Sequence, residues 1–515
     1  MNRYPLGIQT FEKIREENLF YVDKTDLIYN IVKGSQNNFL SRPRRFGKSL
    51  LVTTMQAYFE GKKDLFKGLA IEKLEKEWVK YPVIHLDLSR GKYYEIQVVH
   101  STLNAVLGFY EAKLGITVAE GTTYGTRLDE IIQTTAAQTG QKVVVLIDEY
   151  DAPMLDSNAK PELQEQIRSI MRDFFSPLKA NEGLLRFVFL TGITKFSQLS
   201  IFSELNNIKN YSLDDEFGAI CGFTQEEILS TFHEGIHEMA KANELTTDQT
   251  VAKMKEQYDG YRFTPHCPNI YNPYSVLNAL HDKKFSNYWF ATGTPTFLLE
   301  LLIKNDIEMP QLEGIVATED QFDSPTDNIG NPIPVLYQSG YLTIKDYDEG
   351  IYTLGYPNEE VRMGLNRSML NYIAPQYGLK TTAFAAQFRA AMRKDDIDTA
   401  MKVLQSFLAA FPYDIHHNRE DYFQAILFTI FITLGFTIHA EVKTARGRID
   451  LLISTKTTIF VMELKIDQSA EKALEQIDAK DYILPYKHDG RRIFKVGINF
   501  STEKRTVDEW KYEEA

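Results

Sequence analysis

Apolar residues in the N-terminal half of the chain gather in short continuous runs, each of which ends in polar residues. Residues 82–88 (PVIHLDL), 143–148 (VVVLID) and 187–191 (FVFLT) are of this kind, and residues 38–40 form a shorter run. Continuous apolar runs of this length, rich in β-branched residues, are typical of buried strands. Because helical patterns lie between the runs, we expect strands and helices to alternate around a parallel sheet.

Beyond about residue 220 the apolar runs give way to short helical patterns and loop signals. Two segments, 335–344 (VLYQSGYLTI) and 350–361 (GIYTLGYPNEEV), predict strands on either side of the turn KDYDEG. A hairpin flanked by helices favours a small winged-helix-like region. Residues 360–410 continue with helical spacing.

From residue 420 onward the pattern predicts a helix that ends at Gly435, then three strands, an amphipathic helix and a final strand. The strands are 437–444 (TIHAEVKT), 448–454 (RIDLLIS) and 458–466 (TIFVMELKI), and the last helix and strand are 469–483 and 492–501. The whole chain is therefore predicted to be an α/β protein in three parts, residues 1–225, 226–375 and 376–515.

A basic loop with one glycine, residues 41–49 (SRPRRFGKS), stands between the first short apolar run and a helical pattern. Backbone N–H groups at such a helix start attract phosphate oxygens, Lys48 would reach the β- and γ-phosphates, and the Ser49 hydroxyl would hold Mg²⁺. The general pattern G-x-x-x-x-G-K-[ST] has glycine at position 42, where this chain has Arg42. Only the second half of the phosphate-loop pattern is therefore present.

The expected contacts of this loop with a nucleotide follow Pro43, which indicates a rigid path of the chain. They are Arg44, Arg45, Phe46, Gly47, Lys48, Ser49 and Leu50. Arg44 and Arg45 could add positive charge near the phosphates or a neighbouring subunit, or could form a basic rim, and the sequence leaves these alternatives open.

A phosphate loop needs an acid at the end of a buried neighbouring strand, and the run 143–148 supplies it. Asp148 is expected to hold the metal, and Glu149 to orient or deprotonate the attacking water. Thr191 ends the next strand, where a residue that senses the γ-phosphate is expected. The alternatives are an acidic strand end without a function and, for Thr191, a hydroxyl at a strand end or a helix cap at Gly192. The loop about 100 residues upstream favours a nucleotide site.

A second group of charged residues lies near the C-terminal end. Glu463 and Lys465 are two apart on a predicted strand and share one face, and hairpin pairing would bring Asp450 alongside Glu463. Two carboxylates and a lysine form a site for a hard cation that can support phosphodiester hydrolysis. Gln476, on the next helix, and Glu420 could complete this site. The alternative is an exposed strand face with an ion pair.

Composition excludes several classes of protein. Hydrophobic residues make up 43% and charged residues 25% of the chain, as in soluble globular proteins, and two cysteines cannot form a disulfide framework. No apolar run suits a signal peptide or a membrane span, so we expect a cytoplasmic protein without membrane contact. The net charge of −13 argues against a surface that coats nucleic acid everywhere. From Glu441 onward fourteen basic and fourteen acidic residues balance, which permits a local polyanion-binding face.

Several segments resemble known families. YVDKTDLI, SRPRRFGKSLL, VVVLIDEYDAP and FVFLTGITKFS are similar to the AAA-ATPase-like family of bacterial proteins. The end, from EDYFQAILF through RIDLLI and VMELKID to KVGINFS, resembles the PD-(D/E)XK nuclease family that is usually fused to it. The resemblance implies a P-loop NTPase parallel sheet with an added strand between the loop strand and the acid strand. It also implies a helical, winged-helix-like middle region and a C-terminal restriction-endonuclease-like α/β domain.

By position, the resemblance assigns Lys48 and Ser49 to the Walker A motif and Asp148 and Glu149 to Walker B. It assigns the nuclease motif to Asp450, Glu463 and Lys465, and the polar residue of the following helix to Gln476. Arg42 is usual in this family, whereas Ile449 stands where many such nucleases have proline. The resemblance implies ATP and Mg²⁺ as cofactors and nucleic acid, with DNA expected, as the partner; a homo-oligomer is left open.

Two functions remain at this point. The first is an ATP-hydrolysing P-loop protein coupled to a Mg²⁺-dependent nuclease. The second is a nucleotide-dependent regulatory switch or scaffold whose nuclease-like domain is catalytically inactive. All the residues that both reactions need are present, which favours the first. The acidic chain and the near-neutral C-terminal segment favour the second, since a nuclease usually carries a basic groove.

Overall fold

The computed structural model describes residues 3–157, 160–195, 208–292, 296–305, 307, 309–324, 331–373, 378–408, 437–444, 447–455, 457–504 and 506–515. The chain forms two compact units. The first comprises Met1–Thr292 and Gly314–Glu360, and the second comprises Gly293–Glu313 and Val361–Ala515. The predicted division into residues 1–225, 226–375 and 376–515 stays a prediction.

A five-stranded parallel sheet forms the centre of the first unit. Its strands are β1 (Asn37–Ser41), β2 (Val83–Asp87), β3 (Val143–Asp148), β4 (Leu185–Gly192) and β5 (Lys209–Asn210), in the spatial order β2-β3-β4-β1-β5. Strands β1 and β3 are buried along their whole length, which explains their near-continuous apolar sequence. The predicted strands are confirmed. Strand β4 lies between β1, which precedes the basic loop, and β3, which ends at Asp148.

Several helices of the first unit bury the apolar faces of this sheet, and others pack on those helices. They are α1 (Phe11–Glu16), α2 (Thr25–Lys33), α3 (Lys48–Phe59), α4 (Ala70–Leu74), α5 (Ile96–Leu114), α6 (Tyr124–Thr139), α7 (Ala152–Asp156), α8 (Pro161–Phe175) and α9 (Pro177–Ala180). The main core of the first unit lies between β2, β3, β4 and helices α5, α6 and α8. Since all five strands are parallel, their carboxyl ends meet at one edge of the sheet.

The middle of the chain is mainly helical and carries a small antiparallel sheet. The helices are α10 (Gln225–Thr231), α11 (His233–Ala242), α12 (Thr247–Tyr258), α13 (Pro273–Asp282), α14 (Thr296–Lys304), α15 (Glu319–Phe322) and α16 (Ile333–Gln338). The strands are β6 (Ile315–Thr318), β7 (Thr343–Asp348) and β8 (Ile351–Gly355), in the order β6-β8-β7. The hairpin of β7 and β8 was predicted, whereas the winged-helix-like character of this region stays a prediction.

The predicted strand 335–344 was wrong in its first half, because residues 333–338 are helix α16 and β7 begins at Thr343. Pro332 and Pro334 stand at the start of α16, where a missing backbone N–H costs nothing. A short apolar segment such as this one has no periodicity that separates a helix from a strand.

The second unit contains a five-stranded mixed sheet. Its helices are α14, α17 (Glu359–Ile373), whose first two residues belong to the first unit, α18 (Gly378–Met392), α19 (Ile397–Leu408) and α20 (Ala470–Ala479). Its strands are β9 (Thr437–Thr444), β10 (Gly447–Ser454), β11 (Thr458–Ile466), β12 (Arg492–Ser501) and β13 (Thr506–Glu514), in the order β13-β12-β11-β10-β9. Strands β11 and β12 are parallel, and the other neighbours are antiparallel.

Strand β13 was not predicted. It is an edge strand with the sequence TVDEWKYEE, and most of its side chains are exposed, so no apolar run marks it. Trp510 Nε1 and Tyr512 Oη donate hydrogen bonds to Asp398 of α19, at 2.9 and 3.0 Å, which fixes the strand to that helix. The predicted helix that ends at Gly435, together with Glu420, lies outside the described residues.

Within the described ranges, every helix is too short or too polar to pass through a lipid bilayer.

Candidate functional site

The loop after β1 turns sharply into α3. Arg45 and Gly47 both have left-handed backbone conformations, with φ of +69° and +95°, and α3 begins directly afterwards at Lys48. Glycine adopts this conformation without strain, whereas arginine does so only where its surroundings hold it. The basic loop therefore follows a defined path into α3, and the first backbone N–H groups of this helix have no partner within the helix.

Arg42, which replaces the first glycine of the general pattern, is buried within this loop. It is 2% exposed, and its guanidinium donates hydrogen bonds to the carbonyl oxygens of Ser41, Ser212 and Phe217 at 2.9–3.0 Å. The same group lies 4.4 Å from the centre of the Phe263 ring. Arg42 therefore ties the loop to later parts of the first unit.

Arg44 and Phe46 also contact residues far along the chain. The Arg44 guanidinium lies 4.8 Å from the centre of the Trp289 ring. Phe46 is 1% exposed and packs edge-on against Tyr261 and Phe263. The side chains of both residues are thus held by aromatic groups, and their expected role in nucleotide binding stays a prediction.

A cavity of about 590 Å³ opens above the loop and the start of α3. Its lining includes Arg44, Arg45, Phe46, Gly47, Lys48, Ser49 and Leu50 from the loop and helix. One part of the lining is polar and includes Glu149, whereas another part is apolar and includes Phe20, Val22 and Leu277. A pocket lined by both charged and apolar residues suits a nucleotide, whose phosphates are charged and whose base is flat and apolar on its faces.

Lys48 and Glu149 meet at the charged part of this cavity. Lys48 is 4% exposed, and its Nζ lies 3.3 Å from Glu149 Oε1 and 3.3 Å from the carbonyl oxygen of Pro43. Glu149 has a φ of +53°, which is a strained conformation for this residue. The chain folds so that the end of β3 presents Glu149 to the lysine of the basic loop.

Asp148 precedes Glu149 at the end of β3 and is 4% exposed. Burial and then the charge of Glu149 raise the pKa of Asp148 to about 6, while a hydrogen bond with the Ser49 side chain acts in the opposite direction. Asp148 Oδ1 is buried and has no hydrogen-bond partner among the described residues. A buried carboxylate oxygen next to a serine hydroxyl is a donor set that fits Mg²⁺.

Thr191, near the end of β4, is fully buried. Its hydroxyl donates a hydrogen bond to the carbonyl oxygen of Leu40, at 2.8 Å. This contact links β4 to β1 and agrees with the alternative of a hydroxyl at a strand end. The expected role of Thr191 in phosphate sensing stays a prediction.

Asp151 is a residue of this site that the sequence analysis missed. It is fully buried, and its Oδ2 accepts hydrogen bonds from the backbone N–H groups of Ile193 and Thr194 at 2.9 and 2.7 Å, and from the Thr194 hydroxyl at 2.9 Å. Burial, and the charge of Glu149, raise the pKa of Asp151. Asp151 holds the segment after β4 against the end of β3. The third acid of the run LIDEYD was the signal that could have indicated it.

The second unit brings together the carboxylates of the second predicted site. Leu451 pairs with Met462 in the antiparallel register of β10 and β11, so Asp450 stands opposite Glu463. Asp450 Oδ2 accepts a hydrogen bond from the backbone N–H of Leu464, at 2.9 Å. Asp450 is partly exposed, whereas Glu463 is 1% exposed.

Lys465 and Gln476 both contact Glu463. Lys465 Nζ lies 3.3 Å from Glu463 Oε1, and Gln476 Nε2 of α20 donates a hydrogen bond to the same oxygen. The geometry that hairpin pairing predicted is therefore present. Two carboxylates from paired strands, with a cation and an amide beside them, are a donor set that fits a hard divalent cation. Within the described part of the chain, no group of three or more histidine, cysteine or acidic side chains is arranged to hold a metal ion.

Two family models match this chain. The model of predicted AAA-ATPases matches residues 5–202, and the model of the PD-(D/E)XK nuclease superfamily matches residues 418–510. The two matched ranges contain the Lys48–Glu149 site and the Asp450–Glu463 site respectively.

A relative from Azotobacter chroococcum mcd 1, an uncharacterized protein in the vnfD 5' region, is 32% identical over 517 residues, which is 98% of both chains. Among solved structures, the Aeropyrum pernix ORC2 protein (ADPNP–ADP complexes) is 10% identical with a TM-score of 0.26, over 67% of this chain and 93% of that one. The Aeropyrum pernix ORC1 protein in complex with DNA is 10% identical with a TM-score of 0.23, over 66% and 90%.

Proposed function

Because the chain belongs to the family of predicted AAA-ATPases that carry a C-terminal PD-(D/E)XK nuclease superfamily domain, we propose that it hydrolyses ATP and cleaves nucleic acid, with DNA as the substrate. The first activity is assigned to the cavity at Lys48 and Glu149. The second is assigned to Asp450, Glu463 and Lys465.

The ATPase proposal is carried by the contact between Lys48 and Glu149, 3.3 Å apart at the wall of a cavity large enough for a nucleotide. When phosphates enter, the Lys48 ammonium would exchange the Glu149 carboxylate for phosphate oxygens. Glu149 would then be free to orient a water molecule or accept its proton.

Ser49 and Asp148 would hold Mg²⁺, which supplies positive charge to the phosphate oxygens when bound. The burial of Asp148 excludes water from its carboxylate, so its charge acts in a medium of low dielectric constant. Asp151 would keep the segment after β4 in place through its three hydrogen bonds.

In the second unit, Asp450 and Glu463 would hold Mg²⁺, which supplies positive charge to the scissile phosphate when bound. Lys465 would activate water or stabilise charge on the phosphate, and Gln476 would orient the Glu463 carboxylate. This proposal rests on the pairing of Asp450 with Glu463 across β10 and β11.

The ATPase proposal can be tested with the full-length protein and Mg²⁺. Lys48→Ala should lose ATP binding, whereas Glu149→Gln should retain binding and lose turnover by about 100-fold or more, since only the proton acceptor is removed. Lys142→Ala, an exposed lysine just before β3, is the matched control and should behave as wild type. A wild type that hydrolyses ATP no faster than Lys48→Ala would remove the ATPase assignment.

The nuclease proposal needs single- and double-stranded DNA and RNA, with Mg²⁺ or Mn²⁺, and with or without ATP. Wild type should cleave at least one substrate, Asp450→Ala should cleave none, and Asp508→Ala, an exposed acid of β13, should cleave as wild type. A change in the cleavage rate with ATP that Lys48→Ala abolishes would show coupling of the two activities. If wild type cleaves nothing and Asp450→Ala binds metal as wild type does, the nuclease assignment is lost and a nucleotide-dependent switch remains.

A further inference from the structure

The loop that follows β2, residues 88–95, lies at the carboxyl edge of the parallel sheet, beside the end of β3. Asp87 pairs with Asp148 in the register of β2 and β3, and the backbone N–H of Leu88 donates to the carbonyl oxygen of Asp148, at 3.1 Å. We call residues 88–95 the β2 loop. Ser89, Gly91 and Lys92 of this loop line the same cavity as Lys48 and Glu149.

Two hydrogen bonds of Tyr93 hold the β2 loop in a fixed conformation. Tyr93 is 1% exposed, its hydroxyl donates to the carbonyl oxygen of Leu88 at 2.6 Å, and its backbone N–H donates to Asp156 Oδ2 at 3.1 Å. A Cβ at Gly91 would lie 2.9 Å from the Tyr93 ring, so only glycine permits this close approach. The loop is therefore built to present its polar residues at a defined place on the cavity wall.

Among the described residues, five cationic ones line the cavity: Lys24, Arg44, Arg45, Lys48 and Lys92. Lys24 forms an ion pair with Glu227, and Lys48 forms one with Glu149. These two ammonium groups already have carboxylate partners.

The two arginines of the cavity have aromatic partners. The guanidinium of Arg44 lies over the Trp289 ring, and that of Arg45 lies 5.2 Å from the centre of the Tyr274 ring. The ammonium of Lys92 is exposed and forms no hydrogen bond or ion pair with any described residue. Of these five cations, Lys92 is therefore the one whose side chain has neither a carboxylate nor an aromatic partner among the described residues.

Hydrolysis of a nucleoside triphosphate spreads negative charge over the oxygens of the transferred group, and a cation placed there stabilises the transition state. Glu149, which stands beside that group in the proposed reaction, adds a further negative charge. We propose that Lys92 supplies the missing positive charge: it contacts the terminal phosphate of the bound triphosphate from within the same chain. This inference rests on the proposed ATPase function.

The experiment compares full-length wild type, Lys92→Gln, Lys92→Arg and Arg90→Gln. Arg90 lies on the same loop but pairs with Asp87 at 3.4 Å and does not line the cavity, which makes it the matched control. Calorimetry with Mg²⁺ gives the Kd for ADP and for a non-hydrolysable ATP analogue. Steady-state hydrolysis of ATP gives kcat.

Lys92→Gln should weaken binding of the ATP analogue about tenfold while the Kd for ADP changes less than about twofold, since only the triphosphate has the terminal group. Its kcat should fall about 100-fold, Lys92→Arg should restore most of both, and Arg90→Gln should match wild type. Thermal unfolding of the variants checks that each is folded.

Unchanged selectivity for the ATP analogue over ADP, with unchanged kcat in Lys92→Gln, overturns the inference while wild type still hydrolyses ATP. If wild type binds neither nucleotide, the proposed ATPase function fails first, and the inference fails with it.

Discussion

Trp289 donates its indole N–H to the carbonyl oxygen of Arg44, at 3.0 Å, while the Arg44 guanidinium lies 4.8 Å from the centre of the same indole ring. The two residues are 245 positions apart in the chain. The basic loop beside Lys48 and Glu149 is thus in contact with a residue far outside it, through both the N–H group and the aromatic face of the indole.

Trp289→Phe should weaken nucleotide binding and lower the free energy of unfolding. Phenylalanine keeps an aromatic face but loses the N–H donor, which leaves the Arg44 carbonyl without its partner and costs about 1–2 kcal/mol. We expect the Kd for ATP to rise about three- to tenfold, measured by calorimetry, and the urea midpoint to fall.

Trp78→Phe is the matched control for this variant. Trp78 Nε1 is buried without a hydrogen-bond partner among the described residues, so its loss removes no hydrogen bond. Equal effects of the two substitutions on nucleotide affinity would contradict the role given to Trp289.

Arg42→Gly restores the first glycine of the general phosphate-loop pattern, yet it should destabilise the protein. Three backbone carbonyl oxygens, of Ser41, Ser212 and Phe217, lose their donor, and we expect a loss of about 3 kcal/mol in the free energy of unfolding. Urea unfolding measures the loss, and calorimetry should show no gain in ATP affinity.

The neighbouring Arg45→Gly serves as the comparison in the same unfolding experiment. Arg45 is exposed and has a φ of +69°, which glycine adopts without strain, so stability should change by less than about 1 kcal/mol. An Arg42→Gly protein as stable as Arg45→Gly would show that the buried guanidinium does not hold the loop.

Gln476→Ala should slow cleavage of nucleic acid about tenfold and raise the Mg²⁺ concentration needed for half-maximal rate. The side-chain amide donates to Glu463 Oε1, and its loss removes a group that orients a buried carboxylate. Cleavage rates over a Mg²⁺ titration provide the measurement. Lys472→Ala, an exposed residue of the same helix, is the control, and identical Mg²⁺ curves for the two variants would refute the prediction.

Glu360 should make the stability of the first unit depend on pH. It is 1% exposed and accepts hydrogen bonds from the Ser275 hydroxyl and the Trp289 backbone N–H, both at 2.7 Å. Burial raises the pKa of Glu360 to about 7 from its ordinary value of 4.5. The folded chain holds this proton more tightly than the unfolded chain, so the stability that it adds is complete below about pH 4.5 and is lost as the pH rises through 7.

Glu360→Gln stays neutral at every pH and should remove this dependence. Between about pH 5 and about pH 8 the wild type should lose about 2 kcal/mol more in the free energy of unfolding than the variant. Urea unfolding followed by tryptophan fluorescence gives both values. Glu256→Gln, at an exposed position of α12, should retain the wild-type dependence, and a Glu360→Gln protein that also retains it contradicts the prediction.

The order of the strands along the chain could be predicted because a buried parallel strand needs a continuous apolar run and leaves polar residues at its end. The runs at β2, β3 and β4 satisfy this rule, and Asp148 and Glu149 stand at such an end. The same logic failed for α16, whose short apolar segment has no period, and for β13, whose exposed edge needs no apolar residues.

The sequence by itself determined the fold class, the family and the residue types of both candidate sites, because periodicity, strand ends and motif spacing are local properties. Only the tertiary structure decided how Arg42, Arg44 and Phe46 are held, since their partners, apart from the carbonyl oxygen of Ser41, lie 170 or more positions away along the chain. It also placed Asp151 at the segment after β4. Contacts of this range form when packing brings distant elements together, and no local pattern encodes them.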